Sequence, residues 1–205
     1  SGAAAVFTTG VDNTSTTYDG LITGAISVVK VGTGTQTISA PQTYTALSVN
    51  AGAVVLGGTN NLGSLSLANN TSLTLSAHTG GPANVKVINT TGFSMAGNAK
   101  LDLTNNAMVV HGGSLAAINP LVVSGSNGLL WDGPGINSST AHAVAAGSSN
   151  LTAVGILNNS AVGYTEFDGV TGLTGNEILL KYTYYGDSDL SGQVTLDDFF
   201  LFNDG

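Results

Sequence analysis

The chain has no cysteine and no arginine, and charged residues make up only 8% of its 205 positions. Without cysteine there are no disulfides and no thiolate metal centres, so packing and backbone pairing must hold the fold together; compartment is left open by this absence alone. The basic residues are four lysines, Lys30, Lys86, Lys100 and Lys181, against twelve acidic residues, for a formal net charge of −8. Nucleic-acid surfaces and anionic membrane patches need clustered cations, and this composition excludes both partners. No apolar run approaches the roughly 18 residues of a membrane span, and no basic leader precedes Ser1, as suits a processed or tagged product. A cytosolic enzyme usually carries about 25% charged residues. The expectation is therefore an extracellular or cell-surface protein. The sequons at Asn13, Asn89 and Asn137 are explained by turn chemistry in a chain rich in Asn, Ser and Thr.

What the chain does have is a repeat. Residues 47–56, 65–75 and 93–103 each read as an apolar-Ser-apolar triplet, a Gly/Asn turn and a second apolar-x-apolar triplet, with start-to-start offsets of 18 and 28. Alternation within a triplet turns one set of side chains into a core and the other outward. Stacked coils of this kind bury one continuous apolar column. The reading is an all-β, right-handed β-solenoid or β-helix-like stack with short flanking helices; the alternative is an antiparallel β-sandwich built from the same strands. Leu65, Leu67, Leu73, Leu75, Leu101 and Leu103 are assigned to the core, and Asn69, Asn70, Asn98, Asn105 and Asn106 to the corners. Three segments follow: residues 1–45, an irregular first coil or an extended arm containing the apolar run Ala3–Phe7; residues 46–186, the solenoid; and residues 187–205, a loop and helix. Within the second segment, Ser114–Ile118 and Ser139–Ala146 are expected to be helical, the latter ending at Gly147.

The tail carries the sharpest motif. From Asp187 to Asp198 the spacing is that of a calcium loop, with oxygen ligands at positions 1, 3, 5, 9 and 12 and a glycine, Gly192, at position 6. Calcium is a hard cation that takes six to eight oxygens, and the glycine permits the tight turn that gathers them. Asp187, Asp189, Ser191 and Asp198 are assigned side-chain ligation, Gln193 its backbone carbonyl, and Thr195 a direct or water-bridged contact. Val194 is the expected apolar anchor. The competing reading is an acidic surface turn. Thr195 and Asp198 have capping-box spacing, which predicts a short helix after the loop. The β-rich run from Ile178 to Tyr185 predicts a strand before it, so this is not a complete EF-hand.

Residues 182–187, the loop, and Asp198-Phe199 resemble the dockerin-type calcium repeat that closes many secreted bacterial proteins. The loop differs in having Ser191 at position 5, and only one repeat is present. Residues 101–110 and 131–140 are similar to the C-terminal part of autotransporter-like, repeat-bearing secreted proteins with such a tail. The resemblance implies a secreted bacterial β-solenoid whose tail binds Ca2+.

Catalytic groupings are sparse. Asp102, His111, Asp132, His142, Glu166 and Asp168 are the acid and base candidates, with Glu166 and Asp168 placed on one face of a strand. Against them stand the missing arginine and the lack of a nucleophile elbow, phosphate loop or zinc pattern, so the expectation is not an enzyme. Aromatic residues cluster at the tail instead: Tyr182, Tyr184 and Tyr185 on the strand, Phe199, Phe200 and Phe202 on the helix. Two functions are expected from these features. The first is a structural protein that assembles head-to-tail with identical subunits into a fibre, sheath or surface layer, with calcium at its end. The second is an adhesin or carbohydrate-binding module for cell-surface or matrix polysaccharide, anchored by its tail.

Overall fold

Short strands of alternating polarity cannot bury an apolar face alone, and here they do so by stacking. The computed structural model describes residues 5–147 and 151–203; Ala3 and Ala4 of the N-terminal run and the last two residues of the tail segment lie outside these. About five coils each contribute a longer and a shorter strand: β1 (Ala5–Thr9) and β2 (Thr16–Tyr18), β3 (Thr23–Lys30) and β4 (Thr35–Ile38), β5 (Gln42–Val49) and β6 (Ala53–Leu56), β7 (Asn60–Leu67) and β8 (Ser72–Leu75), β9 (Val87–Met95) and β10 (Lys100–Asp102). Long strands pair in parallel with long strands and short with short, which makes the fold a parallel β-solenoid and excludes the antiparallel sandwich. The sequence repeat is the register itself. Leu47 lies opposite Leu65, and Leu65 opposite Phe93, steps of 18 and 28 residues. The longer step is taken up by the excursion between β8 and β9, which contains a 3-10 turn at Pro82–Asn84.

All six leucines assigned to the core are buried, in one cluster that runs from Ile22 and Val28 to Ile178 and Leu180. Each such side chain contributes about 1.5–3 kcal/mol relative to exposure. Within residues 5–45 the first coils pair in the same way, β1 with β3 and β2 with β4. These coils are poorer in apolar residues because polar groups occupy inward positions. Gln36 is buried and accepts hydrogen bonds through Oε1 from the hydroxyls of Thr9 and Thr16. Lys30 is buried too, and its ammonium donates to the carbonyls of Val31, Gly32 and Ala51 at 2.7, 2.8 and 3.3 Å. A buried cation needs such partners, and here backbone oxygens supply them in place of a carboxylate.

The corners follow from backbone chirality. After the long strands the chain turns through a left-handed residue, Gly32, Gly52, Asn70 and Gly97 in successive coils, with φ of 68°, 68°, 60° and 55°. A side chain at Gly52 would collide with the carbonyls of Gly32 and Gly34, so coil-to-coil contact as well as φ requires glycine there. The asparagines do form ladders: Asn69 Oδ1 accepts from the Asn98 amide at 2.8 Å, and Asn98 Nδ2 donates to Asn70 Oδ1 at 3.4 Å. Asn105 brackets the His78 backbone, and buried Asn106 accepts from the Lys86 amide and donates to the Ser76 carbonyl.

Beyond the coils the chain closes one end of the stack. β11 (Ala107–Val110) extends the long-strand sheet, and α1 (Leu115–Ser126), capped by Ser114, leads to β12 (Gly135–Asn137), which extends the short-strand sheet. α2 (Ser139–Ala146) is capped by Ser138 and ends at Gly147 as expected. Then come β13 (Thr152–Asn158), the hairpin β14 (Glu166–Phe167) and β15 (Val170–Thr171), β16 (Ile178–Tyr184) and α3 (Leu196–Asn203). β16 inserts antiparallel between β11 and β13, giving an eight-stranded sheet beside the six-stranded one. β11 is buried along its whole length because a second apolar cluster, including Val109, Phe167, Leu173 and Leu179, covers its outer face. Among the described residues no helix is long and apolar enough to cross a membrane.

Candidate metal centre

β16 delivers the chain to Gly186, whose φ of 95° turns it into the acidic loop. The local fold then comes from backbone amides captured by carboxylates. Asp187, buried, accepts from the amides of Ser191 at 3.0 Å and Gly192 at 2.8 Å, and from the Thr183 hydroxyl. Asp189 accepts from the Ser191 amide at 2.8 Å. Asp198 is also buried; it accepts from Ser188 N at 2.6 Å and Thr195 N at 2.6 Å, while Thr195 Oγ1 accepts from Asp197 N at 3.2 Å. That reciprocal arrangement is the expected cap on α3, with two acids in the helix's first turn where its dipole favours them.

Carboxylate oxygens of Asp187, Asp189 and Asp198 lie within 4.8 Å of one another. Two oxygens on opposite sides of a calcium ion stand about 4.8 Å apart, since each bond is about 2.4 Å. That spacing is of the size one ion spans, and among the described residues these three form the one acidic or histidine group so arranged. The other assigned ligands lie around it. The Ser191 hydroxyl lies 3.4 Å from Asp187 Oδ1 and 3.3 Å from the Gln193 carbonyl, either of which can take its proton, and Thr195 Oγ1 is 3.4 Å from Asp198 Oδ2. Burial pushes the Asp187 carboxyl above its ordinary pKa, with Asp189 adding to the rise against the Thr183 and Gly192 hydrogen bonds. Burial acts the same way on Asp198, but the Thr195, Asp189 and Ser188 amides outweigh it and the net direction is down. Tyr164, which donates to the Asp189 carbonyl at 3.1 Å, is pushed up by burial and then by the three aspartates.

One anchor differs from expectation. Val194 is exposed, and Leu190 is the loop residue that is buried, in a left-handed conformation with φ of 62°. Leu190 packs on Gly155 of β13, where a side chain would collide with it. The sequence signal was the glycine facing it, which cannot be matched to a partner 35 positions away without the fold. Glu177 also escaped notice. It is buried and accepts from Asn159 Nδ2, the Thr174 amide and hydroxyl, and the Gly175 amide at 2.8–3.0 Å.

The acid and base candidates divide. Asp102, Asp132 and His142 line one groove beside α2. His111 bonds Asn89 at 2.8 Å and lies 3.6 Å from Glu177, away from that groove. Glu166 and Asp168 do not share a strand face: β14 ends at Phe167, and Asp168 is a turn residue with φ of 46°, paired with Lys181 at 2.8 Å. The cause is the hairpin, which reverses the chain at Asp168-Gly169 before a third strand position is reached.

These features define a parallel β-solenoid, closed at one end, with a loop–helix tail whose three acids suit a metal ion. No protein family matches the sequence, and neither a curated protein nor a solved structure is similar to it.

Proposed function

We propose that this is a non-enzymatic structural protein of the cell exterior, secreted by a bacterium, whose identical subunits stack end to end, with calcium bound in the dockerin-like tail at Asp187, Asp189 and Asp198. The observation that carries the reading is the difference between the two ends of the solenoid. One end is closed by β16, β13 and the helices, whereas among the described residues β1 and β2 at the other have unpaired edges, with Val6, Phe7, Val11 and Leu21 exposed around them. Open edges bearing apolar side chains pair with neighbours unless something covers them. The tail supplies a complementary apolar surface: Phe199, Phe200 and Phe202 on α3 are 58–80% exposed. Both ends are acidic, with Asp12 and Asp19 near one and Asp187, Asp189, Asp197 and Asp198 at the other. A divalent cation in the loop halves the charge of those four carboxylates and lets the ends approach, which is how calcium would control the contact.

Sedimentation over a concentration series tests this. In calcium the mass should rise with concentration, and either a chelator or Phe7→Asp should return the chain to monomer with its β-sheet circular dichroism intact. A chain that stays monomeric in calcium at every concentration contradicts the proposal.

A further inference from the structure

A groove of about 220 Å³ lies on the outer face of the short-strand sheet, and its wall residue Trp131 donates through Nε1 to the Tyr185 hydroxyl at 3.1 Å, close to the start of the tail. Its floor is built by register: Thr74, Asp102 and Asn137 are neighbours on β8, β10 and β12. Its walls are the start of α2, with Ser139 and His142, and the segment that carries Trp131 and Asp132.

Three observations show that this groove is built and not an accident of packing. First, Asn137 is 94% buried beneath the floor and holds it through Nδ2, which donates to the Gly133 carbonyl at 2.9 Å; its Oδ1 is enclosed and has no partner among the described residues. Second, Asp102 is pinned through one oxygen only. Its Oδ1 accepts from Thr104 N at 2.8 Å and Ser139 N at 2.9 Å, and its Oδ2 accepts nothing among the described residues. Third, the wall is strained. Leu129 and Trp131 adopt φ of 77° and 57°, left-handed values that bulky side chains resist, and these two residues bracket Leu130, whose carbonyl takes a hydrogen bond from His142 Nδ1 at 2.6 Å. With the proton on Nδ1, the neutral ring offers Nε2 as a further acceptor.

We propose that this groove binds a neutral saccharide. It is rich in acceptors, so its ligand must donate several hydrogen bonds. It contains two carboxylates, Asp102 and Asp132, against one ammonium, Lys100, which donates to the Asp132 carbonyl at 2.6 Å. An anionic ligand is disfavoured by that balance, and Lys100 opposes a cation; hydroxyl groups on an uncharged ring satisfy both conditions. Thr74 and Asp102 lie opposite each other on adjacent strands about 5 Å apart, close to the length of one pyranose unit, so a sugar chain can lie across the strands with hydroxyls meeting these two residues in turn.

The test is an amide NMR titration of the full chain with neutral gluco-, manno- and galacto-hexasaccharides, with oligogalacturonate as the charged comparison. At least one neutral probe should shift the Thr74, Asn137 and Ser139 resonances, and oligogalacturonate should not. Thr74→Tyr fills the groove from an outward position without touching the core, and should weaken that binding at least about tenfold at unchanged melting temperature. Asp102→Asn should weaken it as well while still accepting from Thr104 and Ser139. If no neutral probe shifts these resonances, if the uronate shifts them equally, or if Thr74→Tyr binds as the parent does, the proposal is overturned.

Discussion

Glu177 shows how much of this protein's order rests on single polar residues. Burial alone would raise its carboxyl, but the Asn159 and Thr174 hydrogen bonds outweigh burial and hold it down to about 2. Because the folded value lies below the ordinary one of 4.5, the group stabilises the fold above pH 4.5 or so, and that contribution is lost as pH falls toward 2. The difference corresponds to roughly 3 kcal/mol. Glu177→Gln should accordingly lower stability by about 2–3 kcal/mol at pH 7, with the gap to the parent closing between pH 5 and 2 in urea titrations; a gap independent of pH would show that the charge is not what matters. Asp187 has the opposite sign. Its raised value makes its carboxylate unfavourable in the metal-free fold at neutral pH, so metal-free stability gains from Asp187 as pH falls through that value, and a bound cation would remove the penalty. Neither residue could be weighed from sequence, because the donors around Glu177 come from a turn and a 3-10 segment that meet only in the fold. The acidic spacing, by contrast, was local: Asp187, Asp189 and Asp198 could be singled out from sequence and lie together in the fold, whereas the burial of Leu190 in place of Val194 could not.

Elements with a strong period were read correctly, and those with mixed signals were not. The leucine alternation in β7, β8 and β10 and just beyond it at Leu103 marked the inward face, and every assigned leucine is buried. Leu73→Ala or Leu101→Ala should cost about 2–5 kcal/mol. Ser66→Ala should cost less than about 0.5 kcal/mol, although Ser66 Oγ donates to Ser48 Oγ at 3.1 Å on the outer face. Equal losses at the two kinds of position, measured by thermal or urea melts, would contradict the inward-outward assignment. β2 and β4 left little trace because their inward positions hold Gln36 and few aliphatics. α1 extends to Ser126, well past Ile118, where Pro120 and Gly125 in the sequence argue for a stop. Gly125 is there because a side chain would strike the Ile136 backbone of β12, so close packing overrides helix propensity.

The molecule as a whole is a stack with one closed end, and the proposed assembly would bring its two apolar ends together under the control of the acidic tail. Chelation should lower the melting temperature of the chain, since the loop joins β16 to α3 and packs on β13 through Leu190. The proposed assembly would depend on that same ordering, and so on whether the loop takes an ion. Isothermal titration calorimetry of the chelator-stripped chain with calcium chloride measures this most directly. The account predicts one ion per chain for the parent, and loss of that heat in Asp187→Ala and Asp198→Asn, with Thr74→Tyr unchanged. An equal calcium response in the parent and in Asp187→Ala, or no response in the parent, would contradict it.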